Sequence, residues 1–201
     1  MKRIIKTLIL GTLTAVMATG CVNDDDFNLA PFDEPAWAES FDEAVDNTPL
    51  DITGWTNFAQ TGTTKWTEQV FDGNGYAEFS TFNSGNAVNV GWLITPPLTI
   101  DGTSKTLIFQ AAQHHLDSPQ NTLQVYVSSN YNGTDVAAAT WTPLTATLPT
   151  QANDWYEFVS SGPIDLSAYS GNVYIGFKVT GSGTDQTLDG AYQIDNVKIL
   201  K

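Results

Sequence analysis

The sequence predicts an all-β protein built as an antiparallel β-sandwich, and two observations support this fold class. Past residue 21, no long segment shows the apolar spacing of an amphipathic helix. Short runs of aromatic and β-branched residues recur instead, each bounded by turn-forming residues. These predicted strands cover residues 65–71, 76–82, 106–111, 122–128, 155–161, 172–179 and 191–200. Their regular recurrence favours two packed sheets.

Two of the predicted strands show the alternation of a half-buried strand most clearly. Leu123, Val125 and Val127 alternate with more polar side chains, so that one face is apolar and the other is partly wet. Residues 173–179 repeat this alternation. We expect both segments to place one face on the core.

A tight hairpin is predicted between the first two strands, at residues 72–75, which read Asp-Gly-Asn-Gly. Glycine and asparagine tolerate the positive φ angles that such turns need. The segment is not an EF-hand loop, because the alternating ligands and the closing glutamate are missing.

The last predicted strand changes phase. Its apolar residues occupy even positions up to Ile194 and odd positions from Val197 onward. A β-bulge at Asp195 and Asn196 would reconcile the two halves. A strand buried on both faces would explain the same pattern without a bulge.

The first 20 residues predict a lipoprotein signal peptide. Three basic residues precede an apolar run over residues 8–17, which is too short to cross a bilayer permanently. Small residues at 18–20 then precede Cys21, the only cysteine in the sequence. We expect cleavage before Cys21 and acylation of its thiol. The alternative is an ordinary secretory signal with an incidental cysteine.

We interpret residues 21–36 as the acylated cysteine and an acidic flexible tether, because blocks of like charge repel one another. Three aspartates at 24–26 resemble the surface-export signal of lipoproteins in the Bacteroidota. The resemblance implies a lipid-anchored outer-membrane protein that faces the cell exterior, and a periplasm-facing anchor is the alternative. One folded domain is expected over residues 37–201.

The charge of the chain excludes some classes of partner. Without the three basic residues of the signal, five lysines and no arginine remain against 22 acidic residues, a net charge of −17. Nucleic acid is therefore not expected as a partner, and acidic lipid surfaces are disfavoured. The excess of carboxylates suits divalent cations, although acidic surfaces also serve solubility.

Several segments together resemble the choice-of-anchor J domains, which are related to cleaved adhesin domains and MAM-type jelly rolls. The matching segments are residues 39–42, Gly54-Trp55, 91–96, 123–129, Trp141 with Leu144, Trp155 with 164–171, and 192–197. The resemblance implies a sandwich of jelly-roll type, often with a structural calcium, that acts extracellularly in adhesion or glycan contact. Gly91 and Asp42 depart from the family, which often has Asp and Glu at these two positions.

Calcium is the cofactor that this resemblance implies. It needs six to eight oxygen ligands, which in sandwiches often come from carboxylates of the first and last strands. Asp42 and Asp195 are the first candidates, with Asn196 and Asp117 as supplements and Glu39 as a weaker one. Alternatively, Asp42 caps a turn and Asp195 accepts backbone N–H groups inside the bulge.

Glycan binding usually requires exposed aromatic rings, on which the C–H face of a sugar stacks. Trp55, Trp66 and Tyr131 lie in irregular, loop-like surroundings and are the predicted ligand-binding residues, with a packing role as the alternative for each. Trp92 and Trp155 are instead expected in the core.

Catalysis is not expected. The Gly-x-Ser-x-Gly motif of serine hydrolases is missing, and acylation would block the only thiol. His114 and His115 point to opposite faces if they lie on a strand, so we interpret them as a polar loop entrance and not as a zinc site.

The sequence therefore predicts a non-catalytic cell-surface lipoprotein that binds an extracellular glycan or acts in adhesion, stabilised by calcium. The alternative is a structural or accessory lipoprotein that docks to an outer-membrane protein assembly. Such a protein would present an exposed apolar patch or an unpaired sheet edge.

Overall fold

The computed structural model describes residues 34–201. The predicted signal peptide, Cys21 and nearly all of the predicted tether lie outside the described residues, so these interpretations remain predictions. Within residues 34–201 the chain forms strands, turns and loops, and this part contains no helix long and apolar enough to cross a membrane.

Short strands account for the regular structure of this region. They are β1 (Trp37–Glu39), β2 (Thr48–Pro49), β3 (Thr56–Thr61), β4 (Thr67–Phe71), β5 (Asn74–Ser80), β6 (Asn89–Ile94), β7 (Leu98–Ile100), β8 (Thr106–His114), β9 (Thr122–Ser128), β10 (Thr142–Leu144), β11 (Val159–Ser160), β12 (Ile164–Asp165), β13 (Gly171–Gly181) and β14 (Ala191–Leu200). The predicted strands at 122–128 and 191–200 coincide with β9 and β14, and four others overlap β4, β5, β8 and β13. The prediction at 155–161 is wrong over most of its length, because only Val159–Ser160 pairs there.

The strands form two antiparallel sheets. The larger sheet has the order β11-β8-β14-β5-β4-β2, with β1 also paired to β14 and β12 to β8. The smaller sheet has the order β10-β9-β13-β6-β3, with β7 paired to β13. The all-β, antiparallel jelly-roll sandwich predicted from the sequence is confirmed.

The core lies between the two sheets and is rich in aromatic side chains. Phe109 of the larger sheet meets Phe177 of the smaller sheet edge to face, with ring centroids 5.1 Å apart. Phe79 packs in the same layer beside Trp66, at 5.5 Å. Full burial of one such side chain contributes about 1.5–3 kcal/mol. Gly91 faces the Phe79 ring so closely that a Cβ atom at this position would overlap it.

The β-bulge, one of the two explanations given for the phase change in the last strand, is present. The pairing of β14 with β8 shifts register after Asp195, and Asn196 has a φ of 51°. Ile194 and Val197, on the two sides of the bulge, are therefore both fully buried in the core. The strand is also covered on its outer side before the bulge, where Gln193 and Asp195 are buried.

The predicted hairpin joins β4 to β5 and is also confirmed. Asp72 and Gly73 have φ angles of 50° and 82°, and Phe71 pairs with Asn74 across them. Two consecutive positive φ angles are typical of the type I′ turn, whose twist matches that of the flanking strands. The hairpin brings Asn74 to the bulge of β14, where its Nδ2 donates to Asp195 Oδ2 at 3.2 Å.

Candidate functional site

A cleft of about 690 Å³ lies on the outer face of the larger sheet, and we call it the outer groove. Its lining includes Phe71, Asn74, Tyr76, Glu78, His114, Tyr156, Phe158 and Gln193. Strand alternation explains the position of these side chains. Because Ala77 and Phe79 of β5 point into the core, Tyr76 and Glu78 point outward. Gln193 lies between Tyr192 and Ile194 of β14 for the same reason.

Two polar side chains are paired on the floor of the outer groove. Gln193 is the cross-strand partner of Glu78, and its Nε2 donates to Glu78 Oε2 at 2.8 Å. His114 Nε2 lies 3.2 Å from the same oxygen. Gln193 is only 1% exposed, and its Oε1 has no hydrogen-bond partner among the described residues. The floor therefore holds a buried acceptor with spare capacity.

Aromatic side chains flank this floor. Tyr156 is 52% exposed and stacks on the His114 ring, with centroids 4.7 Å apart and planes 25° apart. Phe71 is 74% exposed, and the Tyr76 and Phe158 rings meet at 5.8 Å. The groove thus combines exposed ring faces with hydrogen-bonding groups.

The loop that carries Tyr156 is held onto the sheet by backbone contacts. Tyr156 N donates to the carbonyl oxygen of Gln113 at 2.8 Å, and Gln113 Nε2 donates to the carbonyl oxygen of Asn153 at 2.9 Å. Gln113 is itself buried at the end of β8. These two bonds fix the ring of Tyr156 above the groove.

The charge of the groove affects the Tyr76 phenol. Burial raises the pKa of Tyr76 to about 12, and the nearby Glu78, Tyr156 and Asp46 add to the shift. The phenol therefore stays protonated at any physiological pH and can donate a hydrogen bond into the groove.

A smaller cavity of about 240 Å³, which we call the side pocket, shares His114 with the outer groove. His115 and Phe82 also line it, and Phe82 is exposed. The Trp155 ring lies 4.0 Å from the His115 ring and is 55% exposed. The prediction that Trp155 is a core residue is therefore wrong, because its loop lies over the sheet and leaves the ring at the surface. The histidines lie at the end of β8, but the expectation that they point to opposite faces is wrong. The chain turns at His115, which has a φ of 54°, and the two Nδ1 atoms lie 2.8 Å apart.

The aromatic residues predicted to bind ligand lie elsewhere. Trp66 is completely buried against Phe79, and Tyr131 is buried with its hydroxyl donating to Thr56 Oγ1 at 3.2 Å. The expectation of exposed rings is wrong for both, because each fills a layer of the packing. Trp55 is half-buried against the core, and none of the three lines the outer groove.

Trp92 is buried, as predicted. The sequence analysis considered His114 of the outer groove only as part of a polar loop entrance, and it missed Tyr76, Glu78 and Gln193. The sequence signal for these three is their phase, since they occupy the positions between core residues in β5 and β14. Trp55, Trp66 and Tyr131 were predicted to bind ligand because their surroundings are loop-like. This criterion does not identify residues on the outer face of a strand.

Three of the predicted calcium ligands, Asp42, Asp195 and Asn196, lie near one another. Together with Asn74 they form a group that we call the bulge cluster. Asp195 is 2% exposed, and burial raises the pKa of its carboxyl group, with the charge of Asp42 adding to the effect. Hydrogen bonds from Asn74 and Asn196 act in the opposite direction. Asp195 also accepts the backbone N–H of Asn196 at 2.5 Å, as the alternative interpretation proposed.

The bulge cluster can be tested for its fit to calcium. Within residues 34–201, His114 beside Glu78 is the only basic side chain at ion-pair distance from a carboxylate, so no Lys of this region neutralises Asp195. A buried carboxylate without a positive partner is costly, and a bound cation would remove this cost. No three His, Cys, Asp or Glu side chains converge on a metal position in the same region. A calcium ion would therefore need amide, carbonyl or water oxygens besides the two carboxylates.

Asp117 does not belong to the bulge cluster. It lines the side pocket near His114, which pairs with Ala191, four residues before Asp195 along β14. Four strand residues span about 13 Å. The prediction that Asp117 shares one calcium ion with Asp195 is therefore wrong. Glu39 Oε1 instead accepts the backbone N–H of Phe41 at 2.9 Å.

Comparison with known proteins places the fold in a wider group. Residues 43–200 match the family described as "Domain of unknown function (DUF5017)". The chain is also similar to cleaved adhesin domains of Lys-gingipain. The K1 domain from Porphyromonas gingivalis W83 is 20% identical with a TM-score of 0.51, over 81% of this chain and 96% of that domain.

The K3 domain from the same organism gives 18% identity and a TM-score of 0.51, over 84% of this chain and 100% of that domain. The K2 domain is 14% identical with a TM-score of 0.52, over 82% of this chain and 99% of that domain. Identities this low show a shared fold alone, and in the fold the predicted likeness to cleaved adhesin domains is confirmed. Among curated proteins, none matches the sequence.

Proposed function

The chain belongs to the DUF5017 family, whose description leaves the function open, and from its own site we propose a non-catalytic module that binds an extracellular glycan through the outer groove. The observation that carries this proposal is the exposed ring of Tyr156 beside the polar floor of Glu78 and Gln193. Sugars present apolar C–H faces to aromatic rings and hydroxyl groups to polar side chains. The groove offers both kinds of contact within one cleft.

Two further points support a role in binding. The three similar solved domains named above are cleaved adhesin domains, although a shared fold does not by itself name a ligand. The second carboxylate of the groove, Asp46, is held by local bonds, because it accepts Val70 N at 3.0 Å and Asn47 Nδ2 at 2.8 Å. We therefore assign neither Asp46 nor Glu78 a catalytic step.

Calcium at the bulge cluster is part of the proposal. Asp42, Asp195 and Asn196 would supply oxygen ligands, and the ion would neutralise the buried carboxylate of Asp195. Asn74 belongs to this cluster and also lines the outer groove, so the two sites are neighbours. The relation of the family to choice-of-anchor J domains remains a prediction.

We also propose that acylated Cys21 anchors the protein in the outer membrane, with the domain facing the cell exterior. We expect Cys21→Ser to abolish acylation and to release the protein from the membrane fraction. Mass spectrometry of the mature N-terminus and detergent-phase partitioning measure this, with the wild-type protein as the control. A wild-type N-terminus at another residue, or one without acyl mass, would contradict the proposal.

The glycan proposal is tested by titrating the purified domain with a panel of soluble neutral polysaccharides: a β-glucan, a mannan, a xylan and a galactan. We expect at least one to bind, and Tyr156→Ala to weaken that binding at least tenfold, which corresponds to about 1.4 kcal/mol. Alanine keeps the Cβ atom, so the positive φ of this residue costs no more than before.

Val88→Ala is the matched control, because Val88 is an exposed apolar residue outside the lining of the groove. Binding that survives in Tyr156→Ala would place the sugar site elsewhere. If no polysaccharide binds, the glycan proposal fails, and the accessory-lipoprotein alternative is tested next by affinity capture from outer-membrane extracts.

A further inference from the structure

We infer that the outer groove takes an uncharged, hydroxyl-rich stretch of a glycan chain, and that Gln193 selects it by accepting a hydrogen bond from a sugar hydroxyl. The inference rests on the proposed function, because it names the ligand class of the same groove. Two features carry it: a buried acceptor without a partner, and a lining that is acidic.

The orientation of Gln193 is determined by its neighbour. Its Nε2 donates to Glu78 Oε2 at 2.8 Å, and a carboxylate can only accept. Rotating the amide by half a turn would bring two acceptors together and lose this bond. Oε1 is therefore the atom of this groove-lining side chain that is left without a partner among the described residues.

This free oxygen needs a donor. Gln193 is 1% exposed, and its Oε1 has no partner within residues 34–201. Leaving a buried acceptor unpaired costs free energy, so a ligand that supplies an O–H or N–H group gains more than one that does not. A carboxylate or sulfate offers no such donor.

The charge of the groove points to the same ligand class. Asp46 and Glu78 line it, and none of the five lysines within residues 34–201 does. An anionic sugar would meet like charges in a cleft without a fixed cation. A cationic sugar is less favoured than a neutral one, because Glu78 already has a donor in Gln193 and lies next to His114.

The width of the site indicates a chain and not a single sugar. The lining runs from Phe71 on β4 to His114 on β8, across β5 and β14. Three inter-strand spacings of about 4.8 Å give roughly 14 Å. The side pocket continues beyond His114 and extends this path.

The test compares three forms of whichever neutral polysaccharide of the panel binds the wild-type domain: the native polymer, its O-methylated derivative and its carboxymethylated derivative. O-methylation removes hydroxyl donors and keeps the C–H faces, whereas carboxymethylation adds negative charge. We expect at least tenfold weaker binding of both derivatives. Salt is expected to restore part of the binding of the carboxymethylated form only, because screening weakens charge repulsion.

Two variants connect these differences to the named residues. Gln193→Met is close to isosteric and removes the acceptor, so we expect the ratio of native to O-methylated affinity to fall at least threefold. Glu78→Gln keeps an acceptor for Gln193 Nε2 and removes the charge, so the ratio of native to carboxymethylated affinity is expected to fall by a similar factor. Thermal melts of both variants establish that they fold.

Failure of the inference differs from failure of the proposed function. If no neutral polysaccharide binds, the proposed function fails. If the O-methylated or the carboxymethylated polymer binds as tightly as the native one, a glycan site remains, but the selection inferred here is wrong. The wild-type comparison needs no variant, so a poorly folded Gln193→Met leaves the test intact.

Discussion

Asp195→Asn abolishes the response of the domain to calcium and removes the pH dependence that Asp195 gives to the stability of the chelator-treated protein: this is the result that we expect. Asn is nearly isosteric with Asp and can still accept the backbone N–H of Asn196, while its Nδ2 faces the amide donors of Asn74 and Asn196 that Asp195 Oδ2 accepts in the wild type. It removes the buried charge, which has no cationic partner among the described residues. It also removes a carboxylate ligand that calcium would need.

The pH dependence follows from the raised pKa of Asp195. Burial raises this pKa above the ordinary value of 3.8, so the native state holds the proton more tightly than the unfolded state does. The contribution of this group to stability is complete below pH 3.8 and is lost as pH rises through the native pKa. The metal-free wild type therefore loses stability as the pH rises through this native pKa, and Asp195→Asn lacks this pH dependence altogether.

Thermal melts in chelator and in calcium measure the effect. Ligand at 100 times its Kd stabilises by about 2.7 kcal/mol, which raises the Tm of a domain of this size by roughly 5–10 °C. Asp117→Asn is the control, since it makes the same chemical change in the side pocket. A calcium response that persists in Asp195→Asn, or one that Asp117→Asn removes, would show that the ion binds elsewhere. A wild type that does not respond to calcium would remove the metal from the proposal.

Gly91→Asp is expected to unfold most of the protein. In this chain the ring of Phe79 occupies the space that a Cβ atom would fill, between the two sheets. The variant adds steric overlap and a buried carboxylate without a partner. The combined cost is at least about 4 kcal/mol, a large part of the total stability of an ordinary domain.

Gly91→Ala measures the steric cost alone, because it adds a Cβ atom at this position and no charge. Overpacking of this kind costs about 1–3 kcal/mol, and Phe79→Leu in the same chain should recover part of it. Urea denaturation of the single and double variants gives the coupling energy. Gly102→Ala is the control, because a Cβ atom there meets no neighbour within 4 Å. If Gly91→Ala is as stable as the wild type, the two sheets can separate slightly at low cost.

The sequence predicted those features of the fold that depend on neighbouring residues. The I′ turn at Asp72 and Gly73 follows from two adjacent residues, and the bulge at Asp195 follows from a phase change within one strand. The strand predicted over residues 155–161 was wrong because the aromatic residues of this segment are of the types that strands favour. Trp155 and Tyr156 instead lie on a loop whose place is fixed by contact with Gln113, about forty residues earlier.

The outer groove could not be predicted in the same way. Glu78 and Gln193 are 115 residues apart in the chain and become neighbours only because β5 pairs with β14. Nothing in either segment alone indicates which distant strand will pair with it. The burial of Trp66 could not be predicted for the same reason. Trp66 comes just before β4, and it is covered by Phe79, which lies on the neighbouring strand β5.

The position of β14 has a consequence for how the chain folds. Residues 191–200 pair with β1, β5 and β8, so three strands of the larger sheet meet on a segment that is synthesised after all of them. A nascent chain that ends before residue 191 cannot assemble this sheet. Pairings between such distant segments also form slowly, because a large loop must close first. The larger sheet is therefore completed only after residues 191–200 have been made, whereas every strand of the smaller sheet precedes them in the chain.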